Sequence, residues 1–96
     1  MSKEANIIVH EIEKYLTGCS GKDYSNYYVG VTKDPLKRLF IEHNVPQEDG
    51  CWTYEKAIDS DNAREAEKIL LSKGMKGGDG GGDTTSMFVY CYLIPT

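Results

Sequence analysis

Tyr27-Tyr28-Val29-Gly30-Val31-Thr32-Lys33-Asp34-Pro35-Leu36-Lys37-Arg38-Leu39-Phe40-Ile41-Glu42-His43 decides how the chain is read. Its first six residues are aromatic or β-branched around one glycine, the composition of a strand. Asp34-Pro35 stops that strand. The Asp34 carboxylate can cap a helix, and Pro35 suits the first helical turn, where a missing N–H is no loss. Leu36, Leu39 and Phe40 recur at helical spacing, which predicts that they face the strand just left. The stretch reads as strand, tight turn, helix. Gly30 in mid-strand leaves room for a backbone, a ring or a ligand to approach closely. Arg38 sits beside the apolar stripe, where a guanidinium can meet a carboxylate or a phosphate.

Before this stretch, residues 3 to 17 read as an amphipathic helix. Ala5, Ile8, Val9, Ile12, Tyr15 and Leu16 repeat at three and four, and Gly18 is a suitable stop. His10 falls at the edge of that stripe and reads as a packing residue, since no second ligand stands near it. The Gly21-Lys22 pair is not a phosphate loop, because Leu16 and Asp23 stand where that motif needs glycine and a hydroxyl. Strand one spans about 26 to 32, and the helix after it about 35 to 44, ended by Asn44 and Pro46. Residues 51 to 59 alternate with period two around Trp52, Tyr54, Lys56 and Ile58, the mark of a second strand.

Ser60-Asp61-Asn62 opens a third helix, with Asn62 and Glu65 spaced for a capping box and Gly74 as its stop. Ala63, Ala66, Ile69, Leu70 and Leu71 make its buried side. Glu67 lies inside that stripe, and a coreward carboxylate is costly unless paired, metal-bound or neutralised. The glycine-rich run 74–85 reads as a flexible loop. The sharper reading is a loop whose amides cradle an anion, or whose Asp79 and Asp83 hold a cation. Residues 87 to 94 are β-prone at both parities, as in a central or well-covered strand. The order is α-β-α-β-α-β: an α/β (α+β) fold with a small three-stranded sheet covered by helices. The connections are helical, yet a sheet this small can be antiparallel or mixed, and both remain open.

A length of 96 residues suits a single domain, 1–96, with one small core. No apolar run reaches the length of a membrane span. Met1-Ser2-Lys3-Glu4 lacks the pattern of a signal peptide. Cys19, Cys51 and Cys91 are odd in number and far apart, which predicts free thiols in a reducing cytoplasm, without zinc-type spacing. The net charge of −4 argues against a long nucleic-acid groove. Most of the excess negative charge lies in residues 45 to 62. Residues 33 to 44 are slightly basic, so a local cationic site remains open.

The opening stretch resembles the second half of the GIY-YIG nuclease signature. Tyr28-Val29-Gly30 stands for Tyr-Ile-Gly, and Arg38 follows the glycine by eight residues, as the family arginine usually does. His43 lies five residues past Arg38, where four is commoner. The likeness covers roughly residues 26 to 74. The family opens with a Gly-Ile-Tyr strand about ten residues earlier, but this chain has Thr17-Gly18-Cys19 there. The comparable tripeptide is Phe88-Val89-Tyr90, with phenylalanine in place of glycine. A permuted arrangement would let the last strand fill the missing place and bring Tyr90 near Tyr28.

The resemblance implies Arg38 for phosphate, Tyr28 and Tyr90 for the proton path with His43 beside them, and Glu67 for one Mg2+. Such a set has a phosphodiester chemistry. Arginine stabilises charge on the phosphate, a lone carboxylate holds a largely hydrated magnesium, and a tyrosine relays a proton. The first functional expectation is therefore a metal-dependent DNA endonuclease or phosphodiesterase. The second is a catalytically silent relic that binds a protein or a small anion, with Arg38 and Glu67 merely paired across the sheet. Tyr28 and Tyr90 would then be core rings, His43 a helix-end histidine and Trp52 a core anchor. Either would be a monomer or weak oligomer away from membranes.

Overall fold

The computed structural model describes residues 3–19, 23–46, 50–77 and 86–94. Helix α1 is Ala5–Leu16, strand β1 Tyr27–Thr32, a π-helix Lys37–Glu42, strand β2 Trp52–Lys56, helix α2 Ser60–Ser72 and strand β3 Phe88–Leu93. A 3-10 turn, Tyr24–Asn26, leads into β1. The class is mixed α+β, and the sheet is antiparallel in the order β1-β3-β2. The strand that comes last in the chain therefore lies at the centre. That position explains its apolar side chains at both parities, since it is covered on both faces.

Period-two alternation sorts the sheet into two faces. Tyr27, Val29 and Val31 of β1 join Val89 and Cys91 of β3 in the larger core, closed by Ile8 and Ile12 of α1 and Ala63, Ala66 and Leu70 of α2. Ile8, Ile12, Leu70, Val29 and Val89 are completely buried, each worth about 1.5–3 kcal/mol of burial. The opposite face is almost wholly aromatic. Tyr28, Tyr90, Tyr92, Trp52 and Tyr54 gather there under Leu39, Phe40 and Val45 of the π-helix and its exit. Phe40 meets Trp52 edge-on at 4.8 Å, so Trp52 anchors this second, smaller cluster.

Several local expectations need correction. Leu36 does not face the sheet but is 48% exposed, because the backbone leaves α geometry at the next residue. The cap of α2 is Asp59, whose carboxylate accepts from the Asn62 N–H at 2.8 Å, rather than an Asn62–Glu65 box. Asn62 is used elsewhere: its side-chain oxygen accepts from the Ala5 N–H and ties the starts of the two helices together. Cys19 and Cys51 are not free thiols; they form a disulfide between the loop after α1 and the entry to β2. Pairing brings together cysteines 32 residues apart, which linear spacing does not reveal, and the thiol argument for a cytoplasmic setting no longer applies to them. Cys91 alone stays reduced, and burial pushes its thiol up to about 12. No helix among the described residues is long and apolar enough to cross a membrane. Asp79 and Asp83 lie outside the described residues.

Candidate functional site

The site grows from the antiparallel register of β1 and β3. Gly30 pairs with Tyr90, and Tyr28 with Tyr92, so three tyrosines share one face around a glycine. The Tyr90 ring occupies the place of the missing side chain: a Cβ on Gly30 would stand 2.5 Å from the Tyr90 hydroxyl. Glycine thus lets the hydroxyl cross β1. Tyr28 stacks on Tyr90 and Tyr92, with ring centroids at 6.3 and 5.4 Å.

His43 completes the cluster. Its Nε2 lies 3.1 Å from the Tyr90 hydroxyl and its Nδ1 3.1 Å from the Tyr92 hydroxyl, and Tyr28 packs on its ring at 5.0 Å. The local chain explains how it arrives. Asp34 accepts from the Lys37 N–H at 3.1 Å and starts the helix, as its sequence predicts. The turn then widens: the His43 N–H donates to the Arg38 carbonyl at 2.9 Å, five residues back. A π-turn absorbs one extra residue per turn, so a spacing of five returns His43 to the side of the helix where four would place it in α geometry. Asn44, at φ 54°, then ends the helix in the left-handed region, which asparagine tolerates.

Arg38 and Glu67 do not pair with each other. Arg38 Nη1 bonds Glu42 at 3.1 Å, and both side chains are more than one-third exposed, so this i,i+4 pair adds only a few tenths of a kcal/mol. Arg38 also borders an open cavity of about 230 Å³ shared with Lys33, Lys37, Thr32 and Ser86, along with Asp34 and Glu42. Glu67 is partly buried on α2, and desolvation raises its carboxyl pKa, with Arg64 partly offsetting the rise.

The electrostatics converge on Tyr90. Burial holds its phenol well above the ordinary value of 10; Tyr28, Tyr92 and Glu67 push the same way, and Arg38 opposes them. Both Arg38 and Glu67 are thus close enough to act on the Tyr90 hydroxyl. His43 is pushed below its ordinary 6.5 by burial, then by Arg38, with Glu42 opposing. A neutral imidazole therefore stands between two protonated phenols. That arrangement can pass a proton along hydrogen bonds without creating a free phenolate.

Of the residues singled out from the sequence, Tyr28, Tyr90 and His43 come into direct contact, while Arg38 and Glu67 act on Tyr90 through their charge alone. Tyr92 is the member that sequence reasoning passed over. Its signal was present in the parity of Phe88, Tyr90 and Tyr92, an all-aromatic face, but the apolar residues between them made the strand read as core. Among the described residues no three His, Cys, Asp or Glu side chains gather into a metal cage. Glu67 belongs to no such group. Comparisons with protein-family models, curated proteins and solved structures return no match.

Proposed function

We propose that the chain is a small phosphodiester-cleaving domain of GIY-YIG type, with the strand order permuted so that Phe88-Val89-Tyr90 takes the place of the first motif. The observation that carries this reading is Tyr90 opposite Gly30, bonded to a His43 brought round by the π-turn. In this reading Arg38 holds a non-bridging phosphate oxygen. The hydrogen-bonded Tyr90–His43 pair takes up the proton of the attacking water, which ends on His43 Nε2. Water oxygen bonds to phosphorus, the ester bond breaks, and the leaving oxygen takes a proton from solvent. Tyr28 stacks the rings in register. Glu67 would hold the magnesium, which when bound neutralises charge on the phosphate.

The test is cleavage of single-stranded, branched and duplex DNA with magnesium or manganese, by wild type and by Arg38→Ala, Glu67→Gln and Tyr90→Phe. The expected result is cut strands from wild type and a loss of about 10²-fold or more in each variant. No cleavage of any substrate, with no amide shifts around Glu67 on adding either metal, overturns the reading. The net charge of −4 favours a second reading, a catalytically silent module that binds a protein or a small anion. Amide shifts at Arg38 with inorganic phosphate, in a chain that cleaves nothing, are its signature.

A further inference from the structure

We infer that Tyr92 is a positioning residue: it accepts a hydrogen bond from His43 Nδ1–H and so locks the histidine in the tautomer whose Nε2 faces Tyr90 as an acceptor.

A neutral imidazole carries one N–H and one bare nitrogen, and both His43 nitrogens lie 3.1 Å from a tyrosine hydroxyl. The two contacts therefore differ: one phenol donates to the ring and the other accepts from it. Tyr90 is 2% exposed and Tyr92 7%, so Tyr90 is the hydroxyl with less access to water for its proton. Its hydrogen-bond partner among the described side chains is His43 Nε2. A buried hydroxyl that keeps its proton must donate it, because an unmet donor costs about 1–3 kcal/mol. Nε2 then accepts, the ring proton sits on Nδ1, and Tyr92 Oη receives it.

The backbone brings both hydroxyls to the imidazole. Tyr90 and Tyr92 are two residues apart on one strand, so their hydroxyls rise from the same face, and His43 lies across both rings with centroid separations of 5.7 and 5.0 Å. Tyr28 contacts all three rings and restrains their tilt. The arrangement follows the logic of a base oriented by a third group. The consequence for turnover rests on the phosphodiester reading, but the tautomer does not, and it can be measured without substrate.

The experiment is ¹⁵N NMR of the full chain with labelled histidine, above the titration of His43. His10 is the other histidine, and His10→Gln assigns the signals. The expected wild-type spectrum shows protonated Nδ1 and bare Nε2 for His43. Tyr92→Phe, which keeps the ring and removes the acceptor, moves His43 toward the Nε2–H form. Tyr90→Phe leaves Nδ1 protonated. If the chain cleaves DNA, Tyr92→Phe lowers kcat roughly 10–100-fold with KM unchanged, as loss of partners that orient a functional histidine does. A wild-type His43 protonated on Nε2, or an unchanged tautomer in Tyr92→Phe, overturns the inference; the wild-type spectrum decides even if a variant fails to fold. A chain that cleaves nothing but shows the expected tautomers sinks the enzyme reading alone.

Discussion

Tyr90 lies directly opposite Gly30 across the β1–β3 ladder, and its ring fills the volume that any other residue at position 30 would claim. The glycine is a steric requirement of the tyrosine, and the two positions form one unit.

Gly30→Ala therefore forces the Tyr90 ring aside. The expected loss is about 2–3 kcal/mol by overpacking, read from urea denaturation. The same substitution in a Tyr90→Ala background should cost much less, since the clash is gone. An equal cost in both backgrounds would show that strand propensity, not the ring, makes glycine necessary.

The Cys19–Cys51 bond closes a loop of about 32 residues that includes β1 and the π-helix. Loop-closure entropy for that span corresponds to about 3–4 kcal/mol. A loss of this size in unfolding free energy, seen as a lower denaturation midpoint, is expected on adding reductant, and Cys51→Ser should be insensitive to it. Identical midpoints with and without reductant would contradict the pairing.

Glu67 has its pKa raised by burial, so its ionised form weakens the fold. Below the unfolded value, near 4.5, the group is protonated in both states and contributes nothing; the penalty develops as pH rises through the folded value. Glu67→Gln should stabilise the protein by roughly 0.5–1 kcal/mol at neutral pH, a figure kept small because the side chain is partly solvated, with no gain in strong acid. Destabilisation at neutral pH would instead assign Glu67 to a favourable pair with Arg64.

His43 behaves in the opposite sense. Its folded pKa lies below 6.5, so the unfolded chain takes up the proton first. Its contribution is complete above 6.5 and is lost as pH falls from there through the folded value. Denaturation curves of wild type and His43→Gln between pH 7.5 and 5 should converge on acidification. A gap that widens toward acid would mean that His43 is charged in the fold.

The elements were legible where one physical signal dominated. Period two found β2, β-prone composition found β1 and β3, and the three- and four-residue stripes found α1 and α2. Asp34-Pro35 marked a real helix start, and Glu67 was recognised because a carboxylate among buried alanines and leucines has few innocent explanations. The misses share a cause. Leu36 and the His43 spacing were read with 3.6 residues per turn, but the helix widens after Leu36. In residue count His43 looked displaced; in turns of helix it is not. The disulfide and the role of Tyr92 depend on which strands become neighbours, and a linear pattern does not carry that information. The aromatic parity of Tyr90 and Tyr92 was visible, but the histidine that Tyr92 meets was not, because His43 reaches β3 only through the fold.

The central position of β3 has a consequence for how the chain is made. β1 and β2 share no ladder, and each is paired through residues 88–93. A nascent chain that has released everything up to α2 still holds two strands without their ladder partner, β2 being tied only at its end by Lys3, and an aromatic face with no centre. Both ladders close only when β3 emerges, so the sheet and the Tyr90–His43 contact form in one late step. Until then the edges of β1 and β2 are open to other chains, and the interval before β3 appears is when this protein is most prone to aggregate.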